Sequence, residues 1–360
     1  MNQKVTVIAE AGVNHNGSLE TAKQLIDAAA QAGADAVKFQ TFRTDRIMVP
    51  DAPKAAYQKR NTAQDETQYE MVKKFELNEP DHQILKEYAK AKGIAFISTA
   101  FDLESLDFLV SLDVPLLKIA SGEITNAPLL LKAARSGKRV LLSVGMADLG
   151  EIEEALGVLA FGYLEHTMEN GSPYRSAFRQ AYYSDAGQSV LRRQVSLLHC
   201  TTEYPAPFQE VNLRVLQTLR QCFDLPVGYS DHTPGITVPL AATALGISLL
   251  EKHLTLDRNL PGPDHKASLE PSEFAQMVQG IRQVEQSLGR PVKLPSPSEL
   301  KNRLTARKSI VALRPIEQGE RYTDRNLAVK RPQAGRSPME YFDLLGETAG
   351  RSYRENEVIR

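Results

Sequence analysis

Cysteine is nearly absent from this chain: Cys200 and Cys222 are the only two among 360 residues. That excludes a disulfide framework and makes a reducing compartment the default. No stretch of about 18 uncharged apolar residues occurs, so no membrane-spanning helix is expected. An excess of charge of one sign is equally lacking. Forty-three Lys and Arg face 44 Asp and Glu, for a net charge of −1, and no basic field points to nucleic acid. The N-terminus, MNQKVTVIAEAG, enters a strand pattern at once without a signal-peptide pattern, and a cytoplasmic location is the expectation. Internal repeats and low-complexity tracts are missing too.

What the chain does have is a series of short apolar runs that end in polar or ionisable residues. There are eight: VTVIAE (5–10), AVKFQ (36–40), AFIS (95–98), LLKIA (116–120), VLLSVG (140–145), VSLLHC (195–200), PVGYS (226–230) and SLLEKH (248–253). Helical patterns lie between them. After the first run, Leu19, Ala22, Ile26, Ala29 and Ala30 share one helical face, with Ser18 placed as N-cap and Gly33 as C-cap. Eight strand–helix units predict an α/β fold, a (β/α)₈ TIM barrel, whose C-terminal rim carries the active site in essentially every characterised enzyme. Read this way, the runs aim Glu10, Lys38, Gln40, Thr99, Lys118, Ser121, Ser143, Thr202, Ser230, His232 and His253 at one rim. An enzyme is therefore expected.

Three stretches depart from the regular pattern. Residues 41–94 form a long, polar, proline-bearing connection leaving the rim end of the second strand, and read as a partial lid rather than a decorative excursion. Residues 162–194 run from a helix end toward the sixth strand. They belong on the bottom face, where subunit packing or no role is expected. The proline-rich PVKLPSPSELKN reads as an exit from the barrel. The expected division is a barrel over 1–290, a linker over 291–305 and a compact β-rich module over 306–360.

His232 and His253 are the sharpest pair, since they end consecutive strands and their rings can converge. Imidazole suits a borderline divalent ion, and open positions would admit an oxygen ligand. His265 could assist or stand behind them. His15, His82, His166 and His199 have weaker claims, with His199 held within the sixth strand. Lys38 and Lys118 are unusual in strands that should be apolar, unless they are paired, face the site or snorkel from strand ends. With Thr99, Ser121, Ser143 and Ser230 they suit a small phosphorylated carboxylate. A Schiff-base lysine is a separate reading. Glu10 and Glu123 are candidate general acids or bases, and Asp264 could hold sugar hydroxyls.

The segments VIAEAGVNHNG, AVKFQTF, STAFDLES, KIASGEITN, LSVGMA, LLHCTTEYPAPF, GYSDHTPGI and EKHLTLDRNLPGPDHKASLEP together resemble the sialic acid synthase family. RKSIVAL…NLAVKRPQAGRSPMEYFDLLG resembles that family's antifreeze-like (SAF) module. The likeness runs in order over nearly the whole chain apart from 162–194. It implies condensation of phosphoenolpyruvate with an N-acyl hexosamine, releasing phosphate. It also implies a divalent metal (manganese first, magnesium or cobalt as alternatives) on His232 and His253, completed by the sugar aldehyde oxygen. By the same resemblance Lys38, Thr99, Lys118, Ser121, Ser143 and Ser230 hold phosphoenolpyruvate, and Gln40, Tyr204 and Asp264 touch the sugar. Glu10 and Glu123 then stand near the reacting carbons. A domain-swapped homodimer is implied, with Arg331 entering the partner's site.

In that chemistry the metal polarises the aldehyde, C3 of phosphoenolpyruvate attacks it, and water adds at C2 before carbon–oxygen cleavage frees phosphate. Two segments depart from the family pattern. Thr202 stands where many members carry asparagine, and the module loop reads Pro332-Gln333-Ala334-Gly335-Arg336. The stretches APKAAYQKRNTAQDETQ and CTTEYPAPF resemble both N-acetylneuraminate and N,N′-diacetyllegionaminate synthases. N-acetylmannosamine is taken as the expected acceptor. The 2,4-diacetamido-2,4,6-trideoxy sugar is the alternative and a pseudaminate precursor the third option. A lysine Schiff-base aldolase and a non-catalytic carbohydrate-binding protein are the rivals from other classes.

Overall fold

The computed structural model describes residues 4–62, 66–165 and 173–360. Eight parallel strands close into a barrel in sequence order. They are β1 (Thr6–Gly12), β2 (Ala36–Thr41), β3 (Ala95–Ala100), β4 (Leu116–Ile119), β5 (Arg139–Ser143), β6 (Val195–His199), β7 (Val227–Asp231) and β8 (Leu249–His253). Every apolar run read from the sequence is a strand, displaced by at most two residues at either end. The helices that alternate with them are α1 (Leu19–Gln31), the group α2 (Thr44–Ile47), α3 (Ala56–Asn61), α4 (Gln68–Lys73) and α5 (Glu79–Ala91), then α6 (Leu103–Ser111) and α7 (Ala127–Arg135). They continue with α8 (Leu149–Leu164), α9 (Arg175–Tyr183), α10 (Asp185–Gln194), α11 (Val215–Phe223), α12 (Thr237–Ala244) and α13 (Pro271–Leu288).

Side chains alternate across each strand, so the barrel has two cores. Outside the sheet, Val7, Ala9, Val37, Phe39, Leu117, Ile119, Tyr229 and Leu250 pack against buried helix positions such as Ile26, Leu85, Leu129 and Phe274. Inside it, Ile8, Ala36, Ile97, Leu141, Leu198 and Leu249 make an apolar floor with Leu116 beside them. Helix starts are capped by side chains that follow the rim loops. Ser18 accepts from Thr21 N–H, Asn78 from Asp81, Asp102 from Ser105 and Asp148 from Glu151, each worth about 0.5–2 kcal/mol.

The lid expected over 41–94 is a strap of three short helices before α5. Lys54 bonds Thr62 and pairs with Glu66 at 3.1 Å, Lys74 also pairs with Glu66, and Glu76 accepts from the Thr44 N–H at 2.6 Å. Residues 63–65, within this strap, lie outside the described residues.

One expectation needs correction. The segment 162–194 is not confined to the bottom face. Its first residues complete α8, and 173–194 form α9 and α10. Arg175 pairs with Glu154 and Tyr183 reaches Glu153, in the turns of α8 nearest the rim. The returning helix packs on α8 through Phe178 against Phe161 and through the buried Ala177 and Ala181. His166 lies outside the described residues. Within the stretch expected as a linker, 291–305, Ser296 caps a further helix, α14 (Pro297–Ala306).

The chain divides into two compact units, Met1–Gly289 and Arg290–Arg360. In the second unit β9 (Ser309–Ala312) pairs antiparallel with β10 (Leu327–Lys330), and α15 (Tyr341–Leu344) follows. Ile310, Ala312, Ile316, Tyr322, Leu327, Leu344, Tyr353 and Ile359 form its own core. No helix among the described residues is long and apolar enough to cross a membrane.

Gly228 marks the tightest point of the barrel floor. A Cβ there would lie 2.6 Å from Leu198 Cδ2 and 2.6 Å from the Leu249 carbonyl oxygen. Gly228→Ala is expected to cost about 1–3 kcal/mol through overpacking, seen as a lowered urea midpoint with an unchanged slope.

Candidate active site

Above the apolar floor, the same two-residue alternation places a polar layer inside the barrel. Glu10, Lys38, Thr99, Lys118, Ser143, Ser230 and Glu251 are all buried. Lys38 Nζ lies 2.7 Å from Glu10 Oε2 and donates to Thr99 Oγ1 at 2.9 Å, with Glu251 Oε2 at 3.7 Å. Lys118 Nζ reaches both Glu251 oxygens, at 3.1 and 3.2 Å, and Ser230 Oγ donates to Glu251 Oε1 at 2.9 Å. Two ammonium groups and two carboxylates thus neutralise one another in the mouth of the barrel.

Their proton affinities diverge with their surroundings. Burial raises Glu10 to about 7, offset only in part by Lys38 and reinforced by Glu251. Burial also acts to raise Glu251, but Lys118 and Lys38 outweigh it and hold that carboxylate at about 2. Burial lowers Lys118 despite Glu251, whereas Lys38 is raised because Glu10 and Glu251 overcome its desolvation. Glu251 therefore holds negative charge permanently, while Glu10 can hold or release a proton near neutrality.

One further step outward stand Gln40, His232 and His253. Gln40 Nε2 donates to Glu10 Oε1 at 3.3 Å. The two imidazole centroids are 5.6 Å apart, and the Tyr204 ring lies 4.1 Å from that of His232. His232 Nδ1 donates to the Thr201 carbonyl at 2.6 Å, which leaves Nε2 as its basic nitrogen. His253 has a buried Nδ1 without a hydrogen-bond partner. Burial lowers His232 to about 4 and also lowers His253, helped by His232 and Lys38, so both rings are neutral at pH 7. Among the described residues, no cluster of three His, Cys, Asp or Glu side chains suited to a metal occurs.

The β4 and β6 ends supply a polar wall. Ser121 Oγ touches Cys200 Sγ at 3.1 Å and accepts from the Gly145 N–H at 3.1 Å, and Thr202 Oγ1 is buried without a partner. Asp264 is raised to about 6 by burial, with Lys38 opposing. Glu123 sits in the turn after β4, half-buried, where its Oε2 accepts from Asn126 Nδ2 at 2.7 Å.

These groups line one cavity of about 480 Å³. Its other wall is apolar, with Val13, Phe42, Ile47, Met48, Met71, Val72, Phe75 and Phe101, and the strap adds Gln58 and Gln68. Of the residues singled out from sequence, the barrel-borne ones line this cavity except for His15, His82, His199 and His265. Arg331 is exposed in the second unit. His265 does not assist the histidine pair: it is buried with Nδ1 against Thr255 Oγ1 at 2.7 Å and Nε2 near Asn16 Oδ1 at 3.3 Å. His199 bonds the Val211 carbonyl, His82 bonds Thr41, and His15 accepts from Gly17 N–H. Glu251 was missed, although it stands two residues before His253, as Lys38 does before Gln40 and Ser230 before His232. The strap residues Met48, Gln58, Gln68 and Met71 carried no sequence signal of their own.

Residues 25–293 match the NeuB family and residues 307–360 match the SAF domain. The N,N′-diacetyllegionaminic acid synthase of Campylobacter jejuni is 49% identical over 99% of each chain. The enzyme of the same name from Legionella pneumophila is 45% identical over 94% of this chain and 89% of its own. Among solved structures, N-acetylneuraminic acid (sialic acid) synthetase from Leptospira borgpetersenii, in complex with citrate, superposes with a TM-score of 0.66. It is 34% identical, over 84% of this chain and 90% of that one. This chain is a member of the NeuB family with a C-terminal SAF domain.

Proposed function

We propose that the protein condenses phosphoenolpyruvate with an N-acylated aminosugar to give a nonulosonic acid and phosphate. We further propose that the acceptor is the 2,4-diacetamido-2,4,6-trideoxy sugar of N,N′-diacetyllegionaminate synthesis. The relatives at 49% and 45% identity carry that name, and they favour it over the N-acetylmannosamine expected from sequence. The cavity supports the same choice. Ile47, Met48, Val72 and Phe101 offer half-buried apolar surface opposite the charged layer, and a 6-methyl group and a second acetamido methyl can bury against it. A hydroxyl there would be desolvated without a bond.

In this reading phosphoenolpyruvate lies against Lys38, Thr99, Lys118, Ser121, Ser143, Thr202 and Ser230. The lysines act as point charges, and hydroxyls such as the unpartnered Thr202 Oγ1 complete the cradle. The acceptor lies toward Gln40, Tyr204 and Asp264. A divalent metal, manganese by preference, fits His232 and His253, because both rings are neutral and His253 Nδ1 has no partner within the protein. When bound, it would supply Lewis-acid polarisation of the acceptor's carbonyl oxygen. C3 of phosphoenolpyruvate attacks the aldehyde carbon, water adds at C2, and the C2–oxygen bond to phosphate breaks. Glu10 is the group that moves a proton here, since its affinity lies near neutrality. Glu251 stays ionised beside Lys118 and stabilises positive charge developing at C2. Glu123 and Asp264 orient the acceptor. A homodimer in which Arg331 completes the partner's site belongs to the same reading.

Phosphate release tests the acceptor. With manganese, kcat/KM for the 2,4-diacetamido-trideoxy sugar is expected to exceed that for N-acetylmannosamine by at least tenfold. The reverse ratio would make the protein an N-acetylneuraminate synthase. His232→Ala and His253→Ala should each lower kcat by about 10³-fold or more while the fold persists by circular dichroism. Near-normal turnover in either would remove the metal assignment. Borohydride with pyruvate should label no lysine; labelling at Lys38 or Lys118 would instead favour the Schiff-base aldolase. Glu251→Ala, which strips two buried lysines of their shared counter-ion, should destabilise the protein by about 3–5 kcal/mol in urea melts.

A further inference from the structure

Directly behind the histidine pair lies a second pair of charges that the mechanism does not use. Asp231 precedes His232 and Lys252 precedes His253. Their side chains are fully buried, with Lys252 Nζ 2.5 Å from Asp231 Oδ2. Alternation puts them on the outer face of the sheet with Tyr229 and Leu250, whereas the histidines face the cavity. The pair is held by further hydrogen bonds on both sides. Asp231 Oδ1 accepts from Tyr229 Oη at 2.9 Å, Thr233 Oγ1 at 2.9 Å and Thr233 N–H at 3.1 Å. Lys252 Nζ also donates to the Thr233 carbonyl.

The position of this pair is what matters. The ladder between β7 and β8 runs Tyr229↔Leu250, Ser230↔Glu251, Asp231↔Lys252 and then stops. His253 is still tied on its other side, where it is paired with Glu10 of β1 and its carbonyl accepts from Leu269 N–H. His232 lies beyond the end of β7, where its carbonyl accepts from the Ala206 N–H at 2.9 Å and its ring donates to the Thr201 carbonyl, both in the loop after β6. Lys252 holds the Asp231 side chain before His232 and the Thr233 carbonyl after it, so one ammonium brackets the residue from both sides. A buried ion pair is poor evidence for stability, because an apolar pair of similar volume is often as stable. A registry role accounts for its place here.

We propose that Asp231 and Lys252 are positioning residues that fix the His232 backbone relative to His253, and so set the spacing of the two imidazoles for a divalent cation. The proposal rests on the metal reading of the histidine pair.

The experiment is a titration of the metal-free, full-length protein with Mn²⁺, following free Mn²⁺ by electron paramagnetic resonance. It compares the wild type, Lys252→Met, and the double variant Asp231→Asn/Lys252→Met, which removes both charges and leaves no buried ion unpaired. The double variant is expected to fold, by circular dichroism and gel filtration, and to raise the Kd for Mn²⁺ tenfold or more. Its kcat should fall while its KM for phosphoenolpyruvate stays within twofold. A Kd within twofold of wild type in the folded double variant would overturn the brace and leave the metal reading intact. Lack of Mn²⁺ binding by the wild type would overturn both.

Discussion

Four ionisable side chains in the mouth of one barrel are the constraint on which the rest of this structure depends. Lys38, Lys118, Glu10 and Glu251 sit on β2, β4, β1 and β8, and none is more than 4% exposed. Each alone would be strongly destabilising in that position, and each is tolerable only because the others stand within hydrogen-bond or ion-pair distance. The four strands must therefore keep their register, since a shift of one residue would turn the charges into the apolar layer outside the sheet. The floor of Ile8, Ala36, Ile97, Leu141, Leu198 and Leu249 beneath them does the complementary work. It closes the barrel from below, so the polar layer opens toward the cavity.

That arrangement also explains why one carboxylate titrates near neutrality while its neighbour does not. Glu251 lies against both lysines, whereas Glu10 contacts Lys38, feels Lys118 only as its weakest influence, and meets the fixed charge of Glu251. An anion placed against the lysines would draw on the same positive charge that partly offsets the burial of Glu10, and would push its proton affinity further up.

Much of this was legible in the chain because a barrel strand writes its inner face at every second residue. Lys38–Gln40, Ser230–His232 and Glu251–His253 are three copies of one spacing. Reading only the ends of the apolar runs captured the outer member of the third copy and missed Glu251. The Asp231–Lys252 pair was hidden for the opposite reason: both residues point away from the site, and a charge on the outer face of a barrel strand looks like an error until its partner is seen. The course of 162–194 was not legible, because whether a helix returns toward the rim is decided by contacts such as Tyr183 with Glu153. His265 fell out of the metal group for a related reason, since Thr255 and Asn16 claim its two nitrogens.

The choice of acceptor sits at the far end of this scale. The cavity divides between two kinds of surface built by different parts of the chain. Lysines and hydroxyls come from strand ends, where alternation dictates them. The apolar wall comes from the strap 44–75 together with Val13 and Phe101, where no periodicity applies. In the proposed reaction phosphoenolpyruvate would meet the first surface, so its recognition would be tied to the barrel and any change there would endanger the fold. The acceptor would meet the second, which has its own staple of Lys54, Glu66 and Lys74 and a small apolar cluster of Val13, Phe42, Met71 and Phe75. Substitutions on the cavity side of that strap can alter what is bound without disturbing the buried charges. A barrel of this kind can therefore keep one donor and one bond-forming chemistry while exchanging the sugar, and the sequence features that identify the chemistry are poor guides to the substrate.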